Sequence, residues 1–307
     1  GNTFSVGNKI SCSIHTYQYP LIMNLTMEGK DLFLFLLFLC FVINTCHEKN
    51  KTGLTGFILG DWLGMPYRGK GKGTFKPIWT KSYLRGDKCS GNTSMLLCAL
   101  DSRCNLELYQ QNLRNWYFNR KYTGENIEFD IDQVTQKAIM KNFRGVSSDS
   151  NSGNRSLMGC CVLAFSPLSK EEIFSFIKIT HNSRYSFKYT WFFIEFIRCL
   201  LEYEDKEQAL QQAEQRCDVE VNRQNLCNGS FVVDTVESVV NWFMAGNSYK
   251  ECVFSAINSG KSSDAVGALT GLLAGIYYGL ELKNGVKGFE TMESYIDSFI
   301  QYLNPTL

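Results

Sequence analysis

Apolar residues recur along most of this chain at the three- and four-residue spacing of amphipathic helices, whereas the alternation typical of strands is rare. This pattern predicts an all-α protein. The polar, glycine-containing stretch SSDSNSGNRS is predicted to be a loop between helices. Helices are predicted over residues 53–63, 93–103, 106–118, 131–143, 157–165, 170–180, 187–203, 206–216, 232–244, 249–257, 264–281 and 288–302.

The N-terminal region differs in character from the rest of the chain. Residues 1–50 are interpreted as an extension, and residues 51–307 as one compact domain. Within the extension, residues 32–43 (LFLFLLFLCFVI) are uninterrupted hydrocarbon. This run is shorter than the ~20 residues of a membrane span, and Glu28 and Asp31 stand where a signal peptide carries basic residues. A signal, a membrane anchor and a packed helix all stay open, so a cytoplasmic and a secretory location do too.

Composition limits the classes of partner. Of 307 residues, 44% are hydrophobic, which is enough for a large core. Thirty-one Lys and Arg against 30 Asp and Glu leave a formal net charge of +1. No bulk field favours nucleic acid, so a nucleic-acid partner is not expected. A membrane partner is expected only if residues 32–43 form an anchor.

The cysteines do not form a recognisable metal motif. The chain has 12 Cys and 3 His and contains no C-x-x-C pair, so a zinc site is not expected. Five sequons would be usable glycosylation acceptors in a secretory protein. They are Asn24, Asn50, Asn92, Asn154 and Asn228.

Two further motifs have simpler interpretations. GMPYRGKG (residues 64–71) resembles a phosphate-binding loop, but Gly71 replaces the hydroxyl residue and the preceding segment is predicted to be helical rather than a strand. His181 with Cys160 or Cys161 would resemble a nucleophile pair. A histidine that interacts with the end of a helix is favoured instead.

Four segments, in this order and at this spacing, resemble the ADP-ribosylglycohydrolase family. They are GFILGDWLGMPYR (56–68), CSGNTSMLLCAL (89–100), SGNRSLMG (152–159) and NSGKSSDAVGALTGLLAGIYYGLE (258–281). The resemblance extends from about residue 52 to the C-terminus. It implies an all-α fold and removal of ADP-ribose with two Mg²⁺ ions held between a T-D-D-T motif and a G-x-D-x-D-[TS] motif.

Most of the metal ligands that this resemblance implies are replaced. Asp264 is the one carboxylate left on the matched positions, and Arg68 replaces a Glu of the first segment. The candidate, vestigial metal residues are Ser90, Asn92, Thr93, Ser262 and Asp264, with Gly91, Ser263 and Ala265 on the remaining positions.

The loop that holds ADP-ribose in the family, N-G-x-x-M-R, is partly retained. Arg155 stands for its Gly and Gly159 for its Arg. The candidate, vestigial ADP-ribose residues are Gly153, Asn154, Met158 and His181.

Electrostatics shows how much these changes matter. Two Mg²⁺ ions ~4 Å apart repel by ~16 kcal/mol at an effective dielectric near 20, which carboxylates must offset. We therefore expect no metal, or one weakly bound Mg²⁺ at Asp264. Asp61, Asp87 and Asp149 could reach the site from elsewhere, and their convergence would favour an active enzyme.

Three functions follow as hypotheses. The preferred one is an inactive relative of glycohydrolases, a scaffold that binds ADP-ribose or an ADP-ribosylated protein. The first alternative is an active hydrolase of the glycosidic bond to ADP-ribose with a remodelled metal site. The second alternative is a structural protein resembling certain lens crystallins.

Overall fold

The computed structural model of this chain describes residues 10–16, 19–25, 30–75, 90–124, 129–144, 148–280 and 289–304. For residues 10–16, 19–25, 32 and 39 it describes the backbone only. The chain divides into two units, Gly1–Glu48 and Lys49–Leu307. In the first unit, strands β1 (Ile10–Thr16) and β2 (Tyr19–Leu25) form an antiparallel hairpin in which Ile10 pairs with Leu25.

The second unit is helical throughout the residues described, apart from one isolated β-bridge, so the all-α prediction is confirmed for it. The first helix, α1 (Lys30–Gly64), begins in the N-terminal unit. The others are α2 (Gly91–Ser102), α3 (Leu106–Asn119), α4 (Gln133–Met140), α5 (Arg155–Cys160), α6 (Lys170–Thr180), α7 (Arg184–Glu202), α8 (Lys206–Cys217), α9 (Val232–Ala245), α10 (Tyr249–Asn258), α11 (Ser263–Tyr278) and α12 (Glu290–Leu303).

Local sequence signals account for several helix ends. α6 begins with a capping box, because Ser169 accepts from the Glu172 amide while the Glu172 carboxylate accepts from the Ser169 amide. α11 ends at Tyr278, earlier than predicted, because Gly279 adopts a left-handed backbone with φ of +70°. The segment before GMPYRGKG is helical, as predicted, which removes the strand that a phosphate-binding loop requires.

The domain core is built around α11 and the second half of α1. Leu54, Phe57 and Ile58 are fully buried, as is almost all of α11. Glycines let the two helices approach closely, since a Cβ on Gly60 would lie 2.0 Å from the carbonyl oxygen of Gly267. This close packing places the first turn of α11 beside the end of α1.

One helical segment among the described residues, Phe33–Tyr67, is long and apolar enough to cross a membrane by length and composition. Core helices and signal sequences satisfy the same criterion. The second half of this segment is core, as Leu54 and Phe57 show.

Candidate functional site

A cavity of about 290 Å³ opens at the first turn of α11, next to the first turn of α2 and the starts of α4 and α5. Most of the residues that line it are polar or charged. The lining residues are Arg68, Asn92, Asp132, Gln133, Val134, Gly153, Asn154, Arg155, His181, Ser230, Ser262, Asp264 and Ala265.

Arg68 forms a bridge between two carboxylates at the mouth of this cavity. It follows the short 3₁₀ turn after α1, and its Nε donates to Asp264 Oδ2 at 2.8 Å. Its Nη2 lies 2.6 Å from the same oxygen and donates to Asp130 Oδ2 at 2.8 Å. Burial would lower the pKa of Arg68, but Asp264 and then Asp130 outweigh it and raise that pKa. The guanidinium is therefore a permanent cation at this site.

A second guanidinium, that of Arg155, lies on the other side of Asp130. Its Nη2 is 3.8 Å from Asp130 Oδ1, and its Nε is 3.9 Å from Asp132 Oδ1. Burial alone would raise the pKa of Asp130, yet Arg155 and Arg68 hold that pKa below its ordinary value. Asp130 Oδ2 also accepts from the Gly91 amide at 2.9 Å. Asp130 is thus an ionised link between two arginines and the start of α2.

Arg155 occupies space that a side chain at position 91 would need. An ideal Cβ on Gly91 would lie 2.0 Å from Arg155 Nη1 and 2.0 Å from the Asp130 carbonyl oxygen. Real Cβ contacts essentially never come under 3.0 Å. Gly91 and Arg155 therefore fit each other, and a carboxylate at position 91 would not fit beside this arginine.

Asp61, near the end of α1, lies at the centre of a buried polar cluster. Its Oδ2 accepts from Ser90 Oγ and, at 2.5 Å, from Thr93 Oγ1. Asn92 Nδ2 donates to Asp61 Oδ1 at 3.0 Å and to Asp264 Oδ2 at 2.9 Å, so one amide joins the two carboxyls. Burial, and then the negative charge of Asp264, raise the pKa of Asp61 to about 6.

His181 is buried where α6 ends and forms part of the cavity wall. Its Nδ1 lies 2.9 Å from Thr180 Oγ1, while its Nε2 has no hydrogen-bond partner among the described residues. Burial lowers the pKa of His181; Arg155 lowers it further and Asp132 opposes both. The ring is consequently neutral, and its Nε2 is a buried atom with essentially no exposed surface.

The loop before α5 also lines the cavity. Asn154 Nδ2 donates to Thr235 Oγ1 at 3.1 Å, and the Asn154 amide donates to the Ser230 carbonyl at 2.9 Å. These bonds hold Gly153 and Asn154 at the cavity wall. Met158 is fully buried within α5.

Comparisons with known proteins identify the family and the fold. The sequence profile described as ADP-ribosylglycohydrolase matches residues 44–303. The chain belongs to the ADP-ribosylglycohydrolase family. The chain is 23% identical over 270 residues to the "ADP-ribosylarginine hydrolase Tri1" of Serratia proteamaculans (strain 568), covering 76% of this chain and 72% of that relative.

Two further matches support the family and its fold. The "ADP-ribosyl-[dinitrogen reductase] glycohydrolase" of Rhodospirillum rubrum is 33% identical over 54 residues, which is 18% of each chain. A solved structure titled "ADP-ribosylglycohydrolase-related protein complex" superposes with a TM-score of 0.67 at 19% identity. It covers 85% of this chain and 99% of that chain, so the fold is shared along almost the whole of the solved chain.

The residues at this site do not fit the two Mg²⁺ ions of the ADP-ribosylglycohydrolase pattern. No group of three or more Asp, Glu, His or Cys side chains in the described parts of the chain is arranged to hold a metal ion. Asp264, the retained ligand position, is paired with the Arg68 guanidinium. Mg²⁺ requires hard oxygen donors, and a cation in contact with the candidate ligand opposes its binding.

The structure brings together most of the residues predicted for the site. Ser262, Asn92 and Asp264 line the cavity, whereas Ser90 and Thr93 lie behind it, against Asp61. Of the three carboxylates predicted to approach, Asp61 does, Asp149 pairs with Arg184 at 2.8 Å, and Asp87 lies outside the described residues.

Sequence reasoning missed Asp130 and Asp132. The available signal was the D-x-D pattern at the start of the helix predicted over 131–143: that helix begins later, at Gln133, and Asp132 caps it by accepting from the Thr135 amide at 3.0 Å.

The thiols near the loop have no nucleophilic character. Burial raises the pKa of Cys160 to about 12 and raises that of Cys161 further. Cys161 donates to the Met158 carbonyl, so these cysteines are core residues of α5 and the turn that follows.

Proposed function

We propose that this ADP-ribosylglycohydrolase-family protein is a metal-independent binding protein for the ADP-ribosyl group, and that it does not hydrolyse the glycosidic bond. One observation carries the proposal: the Arg68 guanidinium contacts Asp264 and Asp130 at hydrogen-bond distance. An internal cation thereby lies on the carboxylate that would otherwise hold Mg²⁺.

Charge and chemistry support the loss of hydrolysis. A guanidinium can offset nearby carboxylates, but it does not lower the pKa of a bound water as a divalent ion does. It also stays protonated at every physiological pH, so the cation cannot dissociate as a metal ion would. Arg155 adds a second fixed cation beside Asp130.

The proposed ligand follows from the groups that remain at the cavity. Gly153, Asn154 and His181 line it together, in the loop and histidine positions that resemble those holding ADP-ribose in the family. The names of the two curated relatives concern ADP-ribose attached to arginine and to dinitrogen reductase. The partner proposed for this chain is therefore free ADP-ribose or an ADP-ribosylated protein.

A second candidate function is favoured by one observation. Asn92 joins Asp61 and Asp264, so two carboxyls do converge at the site, and the pKa of Asp61 is raised to about 6. A raised carboxyl pKa near neutrality is typical of catalytic acids and bases. The second candidate is an active hydrolase that uses this remodelled site.

Calorimetric titration with ADP-ribose, in EDTA and in Mg²⁺, tests the first proposal. The expected result is binding with the same affinity in both solutions and no release of ADP-ribose from ADP-ribosylarginine. The matched variant is Arg68→Glu, which restores the carboxylate of the family pattern. In that variant Mg²⁺ should tighten ADP-ribose binding, because a cation is exchanged for a metal-binding group.

Three results would contradict the proposal. Binding by the unaltered chain that needs Mg²⁺ would show that Arg68 does not replace the metal. Release of ADP-ribose that Asp264→Ala abolishes would establish the active hydrolase. Absence of any nucleotide binding, together with a stable oligomer, would favour the structural role.

A further inference from the structure

The first half of α1 exposes an unusual amount of apolar surface. Seven large apolar side chains there are between 43% and 69% exposed. At ~100° per residue they project over more than half of the helix circumference, not along one stripe. They are Phe33, Leu34, Leu36, Leu37, Phe38, Phe41 and Val42.

A partner helix covers one stripe, whereas a helix that is apolar all round is buried in a large core or in a membrane. Asp31 and Glu48 are the charged residues nearest to the apolar run, and residues 32–47 between them rise about 24 Å at ~1.5 Å per residue. This length is shorter than the ~30 Å of a bilayer's hydrocarbon core, a mismatch that local thinning of the bilayer and extension of the Lys30 and Lys49 side chains to the headgroups accommodate. The Thr45 hydroxyl donates to the Phe41 carbonyl at 2.9 Å, so its polar group is satisfied within the helix.

We infer that the apolar half of α1 is a retained lipid-bilayer anchor, and that the helical domain lies on the membrane face where asparagine glycosylation does not occur.

Two features of α1 support retention of this segment. α1 runs from Lys30 to Gly64 without interruption, and Leu54, Phe57 and Ile58 in its second half are fully buried in the domain core. The residues after the apolar run, N-T-C-H-E-K, also offer no A-x-A-like cleavage site. A single helix therefore carries both the bilayer segment and part of the domain core.

The burial of the sequon asparagines indicates on which face of the membrane the domain lies. Asn50, Asn92 and Asn228 are essentially fully buried in the folded domain, so a glycan on any of them is incompatible with this fold. A glycan is attached at Nδ2, and Asn228 Nδ2 donates to the carbonyls of Ala256 and Gly260.

The same atom is used in two other sequons. Asn92 Nδ2 donates to two carboxyls of the site, and Asn154 Nδ2 donates to Thr235. Glycosylation before folding would remove these bonds and place a bulky polar group in the core. No disulfide joins the cysteines that the structure describes, which is typical of a reducing compartment.

Flotation of the full chain with phosphatidylcholine vesicles tests the bilayer contact. The chain should float with the vesicles, and the double variant Leu34→Asp/Leu37→Asp should lower the floated fraction more than about tenfold, because Asp is strongly disfavoured in hydrocarbon. The matched control is Phe118→Asp/Met140→Asp, which alters exposed apolar residues of the domain and should float unchanged.

Two outcomes of this experiment overturn the inference. One is that the unaltered chain does not float with the vesicles and remains in the fraction of unbound protein. The other is a soluble dimer that Leu34→Asp/Leu37→Asp dissociates, since a second copy would then cover the apolar surface.

Translation in the presence of endoplasmic-reticulum microsomes tests the membrane face. The expected product resists carbonate extraction, and added protease digests its domain. Endoglycosidase H removes no glycan from Asn50, Asn92, Asn154 or Asn228, so treatment causes no size shift that depends on these positions. A protease-protected domain that carries glycans, removed by Asn→Gln changes at these positions, would show the opposite orientation and refute the inference.

Discussion

Gly91 and Arg155 are neighbouring residues of the candidate site, and both differ from the family pattern. The family pattern has a carboxylate at the first of these positions and glycine at the second, and this chain has glycine and arginine instead. The Arg155 Nη1 and the Asp130 carbonyl oxygen each lie 2.0 Å from the position that a Cβ on residue 91 would take. A side chain at position 91 would therefore require the Arg155 guanidinium to move and would also contact the Asp130 backbone. The two changes also replace a potential metal ligand with a cation.

Gly91→Ala is predicted to destabilise the fold. Its Cβ would lie 2.0 Å from the Asp130 carbonyl oxygen, a backbone atom that cannot move away cheaply. Overpacking of this kind typically costs ~1–3 kcal/mol, measured as a lower free energy of unfolding in urea. The matched control is Gly153→Ala, whose nearest atom would be 4.0 Å away. Equal stability of the two variants would show that position 91 has spare room.

Asp61 is predicted to make stability depend on pH. Its pKa is raised from 3.8 to about 6 in the folded chain. Between these values the folded chain retains a proton that the unfolded chain has released, so the free energy of unfolding falls as pH rises across this window. At ~1.36 kcal/mol per pKa unit the fall attributable to Asp61 is about 3 kcal/mol.

Asp61→Asn should remove this contribution to the pH dependence. The measurement is urea unfolding of both chains from about pH 4 to pH 7, and the quantity compared is the difference between their unfolding free energies. Parallel pH profiles would mean that the pKa of Asp61 is close to its ordinary value in the folded protein.

At the scale of elements, the contact between α1 and α11 positions the site. Gly56 faces Gly271 and Gly60 faces Gly267, with each prospective Cβ 2.0–2.7 Å from a carbonyl oxygen of the opposite helix. This approach brings Asp61, on α1, within reach of the residues around Asp264 on α11. The small-residue pattern of residues 258–281 therefore serves the geometry of the site as well as the core.

Gly60→Ala is predicted to separate these helices. The added Cβ would lie 2.0 Å from the Gly267 carbonyl oxygen, and we expect a loss of more than about 2 kcal/mol in the free energy of unfolding. Gly71→Ala is the control, because no atom lies within 4 Å of its prospective Cβ. If Gly60→Ala has the same free energy of unfolding as Gly71→Ala and the unaltered chain, α1 and α11 do not pack as tightly as their glycines indicate.

At the scale of the whole molecule, the chain combines an extension with a helical domain that has its own core. The described core of the domain draws on α1 from about Leu54 onward and on the later helices. The Lys51 ammonium pairs with Glu293 and Asp297 of α12, so the domain's own ion pairs begin after the apolar run.

A chain that lacks residues 1–43 is predicted to melt with a single transition within about 2 °C of the full chain, because the deletion removes none of these core residues. Thermal unfolding followed by circular dichroism, with detergent present for both chains, measures this. A shift of more than about 5 °C would assign the extension a structural role in the domain.

The sequence located part of the candidate site and not the rest. Asn92, Asp264 and His181 were found because each stands in a short motif that is readable along the chain. Asp130 and Asp132 lie in an irregular stretch before α4, and no periodicity marks which side chains of such a stretch face a cavity. The pairing of Asp149 with Arg184 was equally invisible.

The sequence by itself determined the all-α domain, most of its helices and the family, because helical periodicity, capping residues and the spacing of small residues are local properties. Only the tertiary structure decided what became of the candidate metal position. Arg68 meets Asp264 across 196 residues and Asp130 across 62, and such contacts depend on how helices pack and where loops return. In the sequence, Arg68 indicates only that a carboxylate of the family pattern is absent. In the folded chain its guanidinium contacts Asp264, so the same substitution also places a cation at the candidate metal position.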